Sequence, residues 1–292
     1  MLSRPLLLPT LPLAGIAFLA VIGLAACDGS NYRRSGGQWT HGDVRFTPQH
    51  PASFEPLDAR FARDKERGYF RGAEIEGSDG ANFVVVSDNE ARDRNSVYHC
   101  DTYRNAQEYW SIQHLRIVRI EGADAATYGT LGKGYARDKH RVYVDGMPFT
   151  VRDPASFEPL EGDFGRDAER GYYARMEIPG SHGPSFENID ASDTAYARDR
   201  AKGYYGWRDQ EHLDPTGKPR RVVRTLGGAD PAMLRVLGRD YAVDARHVWH
   251  QGQVVVGADP ATFAVDASYQ GAADASDKSG AWSAGRRMVV AK

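Results

Sequence analysis

Cysteine is scarce in this sequence: Cys27 and Cys100 are the only two. A disulfide framework is therefore not expected, and the fold has to rest on its core. A surplus of charge of one sign is missing as well. The 37 Lys and Arg residues nearly balance 39 Asp and Glu, which leaves no basic excess to displace counterions and argues against nucleic acid as a partner. Long apolar runs are also absent. The longest, Leu13 to Ala26, falls short of the roughly 20 residues that cross a bilayer as a helix, and Pro5, Pro9 and Pro12 discourage extending it backwards. No HExxH, no phosphate-binding loop, no dinucleotide glycine pattern and no nucleophile elbow occurs. No catalytic residue, cofactor or metal site is expected. His247 and His250 stand three apart, which on a strand puts them on opposite faces and disfavours a metal pair.

What is present begins with the N-terminus. The run Leu13–Ala26 reads as the core of a secretory signal over residues 1–26. Its end, Leu24-Ala25-Ala26-Cys27, resembles the lipobox of bacterial lipoproteins. That resemblance implies a lipid on the Cys27 sulfur and an acylated new N-terminus, which together make a stable membrane anchor. The expected location is a Gram-negative-type envelope, lipid-anchored and facing the periplasm. Asp28 resembles the signal that retains some lipoproteins in the inner membrane. Residues 27–43 are polar and Gly-rich and suggest a flexible tether. With Cys27 acylated, Cys100 is the remaining thiol, expected to be half-buried and inert on a strand.

Internal repetition dominates the rest. One pattern, Asp, three variable residues, a small or β-branched residue, then an aromatic, begins at Asp64, Asp93, Asp138, Asp167, Asp199, Asp244 and Asp277. In the unit at Asp138, Tyr135-Ala136-Arg137 is strand-like, Asp138 opens a polar turn, Val142-Tyr143-Val144 returns as strand, and Asp145-Gly146 signals a further turn. Each unit therefore predicts a β-hairpin. Gly in place of Val before Tyr69, Tyr172 and Tyr204 suggests a closer backbone approach there. A second phrase, Asp153-Pro154-Ala155-Ser156-Phe157, recurs at residues 50–54 and 259–263 and in altered form at Asp124 and Asp230. It predicts single helical turns, with Phe54, Phe157 and Phe263 in the core. The spacing divides the chain into a block at 44–150, its duplicate at 151–257 and a partial third block at 258–292. The expected fold is mainly β: tandem hairpin repeats with short helical turns between them.

The text "YARDKHRVYVDGMPF" and the following "DPASFEPL" resemble the DKNYY family of bacterial repeat proteins, over roughly residues 44–282. The resemblance implies an envelope protein and brings no activity with it.

A residue repeated in every unit serves architecture more readily than catalysis. The seven motif Asp residues are expected as turn-formers, since single carboxylates flanked by Lys and Arg do not gather the six or more oxygens Ca²⁺ wants. The aromatics Tyr69, Tyr98, Tyr143, Tyr172, Tyr204, Trp249 and Trp282 are expected in the core. The alternative makes them a stacking platform for a glycan- or choline-type cell-wall ligand. Function is sought where the repeat is interrupted. Inserts at 99–122 and 206–228 carry Arg116-Ile117-Val118-Arg119 and Arg221-Val222-Val223-Arg224. On strands, the two Arg residues of each phrase point to opposite faces. These four arginines are the candidate partner-binding residues, as quasi-equivalent patches for an envelope protein or an anionic polymer. The expected role is a non-enzymatic binding or interaction module.

Overall fold

The computed structural model describes residues 31–105, 113–189, 195–213, 219–266, 268 and 271–288. Cys27, Asp28 and the signal segment lie outside the described residues. Among the described residues eight antiparallel sheets follow one another, and in each the strands are neighbours in chain order. Sheet 1 (Tyr32–Ser35, Gln38–His41, Val44–Phe46) has three strands. Sheet 2 (Glu55–Pro56, Phe61–Arg63, Gly68–Phe70, Ala73–Ile75) sets the four-stranded plan. Sheets 3 to 8 repeat it over residues 84–119, 129–149, 158–177, 187–226, 235–254 and 264–287. The fold is thus almost wholly β, in tandem. The expected hairpin is the middle pair of each four-stranded sheet, and short outer strands flank it.

Sheet 1 corrects one expectation. Residues 32–41, placed within a flexible tether, form two of its strands. Tyr32 is buried in one cluster with Phe54 and with Tyr69 of sheet 2, and Trp39 and Phe46 pack half-buried against it, so these rings outweigh the Gly-rich composition of the stretch.

The helical phrases are single 3-10 turns at Gly80–Asn82, Pro154–Ser156 and Gly183–Ser185. Asp153 caps its turn by accepting from the Ala155 N–H. At Asp230 and Asp259 the same phrase closes only a turn, with N–H groups of Met233 and Thr262 donating back to the carbonyls of those two residues. Asp145-Gly146 is the loop between Val144 and Met147; both residues have positive φ, 50° and 70°, as a two-residue hairpin loop of mirror-image type demands.

In sheets 2 to 7 the strands of the central pair bury both faces, whereas the pair in sheet 8 buries only the face of Ala275 and Trp282. In sheet 2, Phe61 and Phe70 face sheet 3, while Ala62 and Tyr69 face sheet 1. Seven apolar clusters result, one between each pair of consecutive sheets. In all seven four-stranded sheets the motif aromatic has a small residue opposite it: Ala62, Ala91, Ala136, Gly165, Ala197, Ala242 or Ala275. Large rings on adjacent strands of one face would otherwise compete for the same space. The glycines that replace Val serve close packing. A Cβ on Gly68 or Gly171 would lie 2.4 or 2.3 Å from the ring of Phe83 or Phe186, the aromatics of the next phrase.

The motif Asp residues hold each hairpin turn to the chain that precedes it. Asp138 Oδ1 accepts from the N–H groups of His140 (2.7 Å) and Arg141 (2.8 Å). Its Oδ2 accepts from the Asp124 N–H (2.8 Å) and the Tyr143 hydroxyl (2.7 Å). The same pair of turn N–H groups is taken by all seven motif carboxylates. So is the N–H that opens the preceding linker phrase, at 2.7–2.9 Å from His50, Asp79, Asp124, Asp153, His182, Asp230 or Asp259. Five also receive a Tyr hydroxyl at 2.6–2.9 Å. Burial alone would raise these carboxyls, but the hydrogen bonds outweigh it. Asp64, Asp93, Asp138, Asp167, Asp199 and Asp244 lie below the usual carboxylate range, and Asp277 falls to about 2.

Asp138→Ala leaves these donors without their acceptor and should cost on the order of 3–5 kcal/mol in denaturant unfolding, whereas Tyr143→Phe removes one hydrogen bond and should cost about 1 kcal/mol. The depressed carboxyls also fix the sign of the acid response. Their contribution is complete above the unfolded value near 3.9 and is lost as pH falls through the folded values. The melting temperature should therefore hold near neutral pH and drop steeply between roughly pH 4 and 2. A flat acid profile would show that the motif carboxylates do not carry stability.

Candidate functional site

The repeat is broken where two hairpins outgrow the rest. In sheet 3, Val97–Tyr103 pairs with His114–Arg119; in sheet 6, Gly203–Leu213 pairs with Pro219–Leu226. β-Branched and aromatic residues continue both strands past the point where other units turn.

The four candidate arginines sit on these hairpins, but they are not equivalent. Tyr98 and Tyr204, the corresponding motif aromatics, stand opposite Arg119 and Thr225. The two Arg-x-x-Arg phrases are thus offset by one residue in structural register, and a one-residue offset exchanges faces. Arg116 lies on the face toward sheet 4, where its guanidinium makes a two-pronged pair with Asp101. Arg119 is exposed and has no ion pair among the described residues. Arg221 lies on the face toward sheet 5 and pairs with Asp163, which Arg208 also approaches at 3.6 Å. Arg224 turns toward sheet 7 and lies over the Trp207 ring, 5.1 Å from its centre. The expected pair of matching patches is corrected to two different environments. Tyr109 and Trp110, noted beside the first phrase, lie outside the described residues.

Arg208 and Arg224 of sheet 6 border two surface grooves that share Tyr205, Trp207 and Arg208 in their walls. One of about 590 Å³ is lined by residues that include Lys133, Glu161, Asp163, Tyr173, Trp207 and Arg208. Another, of about 320 Å³, is formed by Tyr205, Trp207, Arg208, Arg224, Gln251 and Gln253. Trp207 is half-buried, stacked on Tyr205 with ring centres 5.9 Å apart and planes at 22°. Lys133 is bound to Glu161 at 2.6 Å. Three cations, Lys133, Arg208 and Arg221, thus meet two carboxylates, Glu161 and Asp163. Arg224 has only the aromatic face as its partner among the described residues. Such a surface can pair with an anion and stack against a flat or extended group.

Trp207 was not singled out from sequence. Its signal was present: Tyr204-Tyr205-Gly206-Trp207 adds two aromatics beyond the motif Tyr. Gly206 is required there because a Cβ would lie 2.4 Å from the Tyr173 ring.

The remaining sequence candidates are structural. The seven motif aromatics are buried, from 0% exposed at Tyr143, Tyr172, Tyr204 and Trp249 to 3% at Tyr98. Their ring faces are filled by neighbouring sheets, which removes the platform built from them. Cys100 is fully buried among Phe70, Phe83 and Ile117, deeper than the half-burial expected, and burial pushes its thiol up. Among the described residues no three His, Cys, Asp or Glu gather as a metal site, and no helix is long and apolar enough to cross a membrane.

Comparison with known proteins agrees with the repeat text. No curated protein and no solved structure matches the chain. A family model does, over residues 61–208, from the central hairpin of sheet 2 to the long hairpin of sheet 6. That match spans half of the chain and includes five of the seven motif Asp residues, Asp64 to Asp199: the chain belongs to the DKNYY family.

Proposed function

We propose that this chain is a non-enzymatic binding module of the bacterial envelope, and that its partner docks on the long hairpin of sheet 6. One observation carries the reading. Between two grooves, the half-buried Trp207 supports Arg224, a cation with no carboxylate of its own among the described residues. A guanidinium held over an indole keeps its N–H edge free for an acceptor, while its position is fixed by the ring. An acidic protein surface or an anionic envelope polymer fits that chemistry. The eight-sheet array gives the hairpin a rigid mount, and a site on rigid elements loses less entropy on binding. Localisation in this reading comes from Cys27, whose acylation would tether the array to the membrane facing the periplasm.

A bait for the partner has to begin at residue 28, since sheet 1 starts at Tyr32. In capture from solubilised envelope, Arg224→Ala and Trp207→Ala should each weaken retention about tenfold. Arg116→Ala, already committed to Asp101, should leave it nearly unchanged. Retention indifferent to both Arg224 and Trp207 would refute the site.

The anchor is tested separately. The mature protein should carry acyl mass on the peptide that begins at Cys27, and Cys27→Ala should abolish that mass and move the protein out of the membrane fraction. An unmodified N-terminus at another residue would overturn the lipoprotein reading.

A further inference from the structure

We infer that the outer edge of sheet 6, the strand Pro219–Leu226, is a docking edge that takes an extended acidic peptide as a fifth strand. The inference rests on the proposed binding role of this hairpin and names the partner's chemistry.

Edge strands expose unpaired N–H and C=O groups, and proteins blunt them by keeping them short or covering them. This chain keeps nearly all of its edges short. The outermost strands of sheets 2, 4, 5, 7 and 8 run two to four residues. His114–Arg119 has six and Pro219–Leu226 has eight. Among the described residues nothing pairs with the outer side of Pro219–Leu226.

The register shows which groups point outward. Gly206 donates its N–H to the Ala195 carbonyl, so Gly206 and Tyr204 use their backbone groups toward Tyr196–Arg198. Alternation along an antiparallel ladder then turns Tyr205 and Trp207 toward Arg224 and Val222, their partners in register. Arg221, Val223 and Thr225 therefore aim their N–H and C=O groups away from the sheet. No hydrogen bond to these outward N–H groups is made among the described residues.

Charged side chains could have closed this edge, and they do not. Arg221 folds back onto Asp163 and Arg224 onto Trp207, so both guanidiniums lie over the faces of the sheet and leave the backbone open. The strand nevertheless carries Arg220, Arg221 and Arg224 with no acidic residue. An added strand would place alternate side chains beside Arg220 and Arg224 on one face. Carboxylates at alternate positions satisfy that face, and backbone hydrogen bonds supply the rest of the affinity. Charge complementarity thus selects an acidic peptide among the extended chains that could pair here. The shorter edge His114–Arg119, with Arg116 and Arg119, is a weaker counterpart in sheet 3.

The test uses the mature chain from residue 28 and a labelled heptapeptide of alternating Val and Glu, with fluorescence anisotropy as the readout. Three comparisons separate the terms. N-methylation of the peptide at alternate residues, in both of the two possible phases, leaves its charge intact and removes hydrogen bonding along one side. Thr225→Pro removes an outward N–H at an exposed residue, and a melting curve checks that the fold is intact. Arg220→Ala with Arg224→Ala removes the charge. We expect saturable binding of the parent peptide, about tenfold weaker binding for at least one N-methylated phase, and a similar loss for Thr225→Pro and for the double arginine variant. Equal binding of parent and both N-methylated peptides overturns the edge. So does a failure to bind the parent peptide, or binding of polygalacturonate in its place. If envelope capture still depends on Arg224 in those cases, the binding role of the hairpin stands and only the strand-addition mode falls. Capture that ignores Arg224 removes the underlying reading as well.

Discussion

A single carboxylate with four waiting donors is the element on which this structure depends. Each motif Asp receives two N–H groups from its own turn and one from the linker phrase, as Asp138 does from His140, Arg141 and Asp124. The turn bonds shape the hairpin locally. The linker bond does something different, because it binds the turn to the segment that arrives from the preceding sheet. Tyr143 adds the fourth bond and carries the link into the core, since its ring packs against Tyr128 of the linker phrase. One side chain thus sets hairpin shape, linker position and ring depth together. Buried charge is tolerable here because the bonds that satisfy it are present before any neighbouring sheet is added.

The Tyr-to-Trp exchange shows the limits of that arrangement. Trp249 occupies the same place as the motif tyrosines and is fully buried, yet its indole N–H finds no hydrogen-bond partner among the described residues. The Asp244 carboxylate keeps both turn donors and the linker N–H. The geometry of the unit therefore survives the loss of the hydroxyl, and the larger ring compensates through burial against Leu226 and Leu234. Stability of the whole follows the pattern of repeat proteins, with each unit supported by its two neighbours through a cluster on either face.

Much of this was legible in the sequence because it is written seven times. A fixed offset between Asp and aromatic predicts a turn and a returning strand, and the small residue two positions before the Asp marks the strand that lies against the aromatic. Altered copies hid more. Asp79-Gly80-Ala81-Asn82-Phe83 and His182-Gly183-Pro184-Ser185-Phe186 are linker phrases as well. Their Pro at the second position is replaced by Gly because a Cβ at Gly80 or Gly183 would fall 2.3 or 2.2 Å from the backbone carbonyl of Asp64 or Asp167. Sheet 1 was missed since polar strands of Arg, Thr and Gln look like linker until Tyr32 and Phe46 are seen to close the end of the stack. The candidate arginines were found by type but not by direction. Direction depends on strand register, and neither Arg phrase records its one-residue offset from the motif aromatic.

That offset also bears on where function sits. In an array with two long hairpins, the two need not carry the same patch if one of them suffices. The sheet 3 hairpin has Asp101 opposite Arg116, a pair that satisfies itself. At the matching place sheet 6 has Trp207 opposite Val222, and its cation comes from Arg224, two positions along the strand on the same face. A carboxylate consumes a guanidinium's charge, whereas an indole orients it and leaves the charge to act on something else. The longer strand, two grooves and a cation held on an indole therefore coincide on one hairpin, in the segment where the repeating pattern exerts least control over the residues it carries.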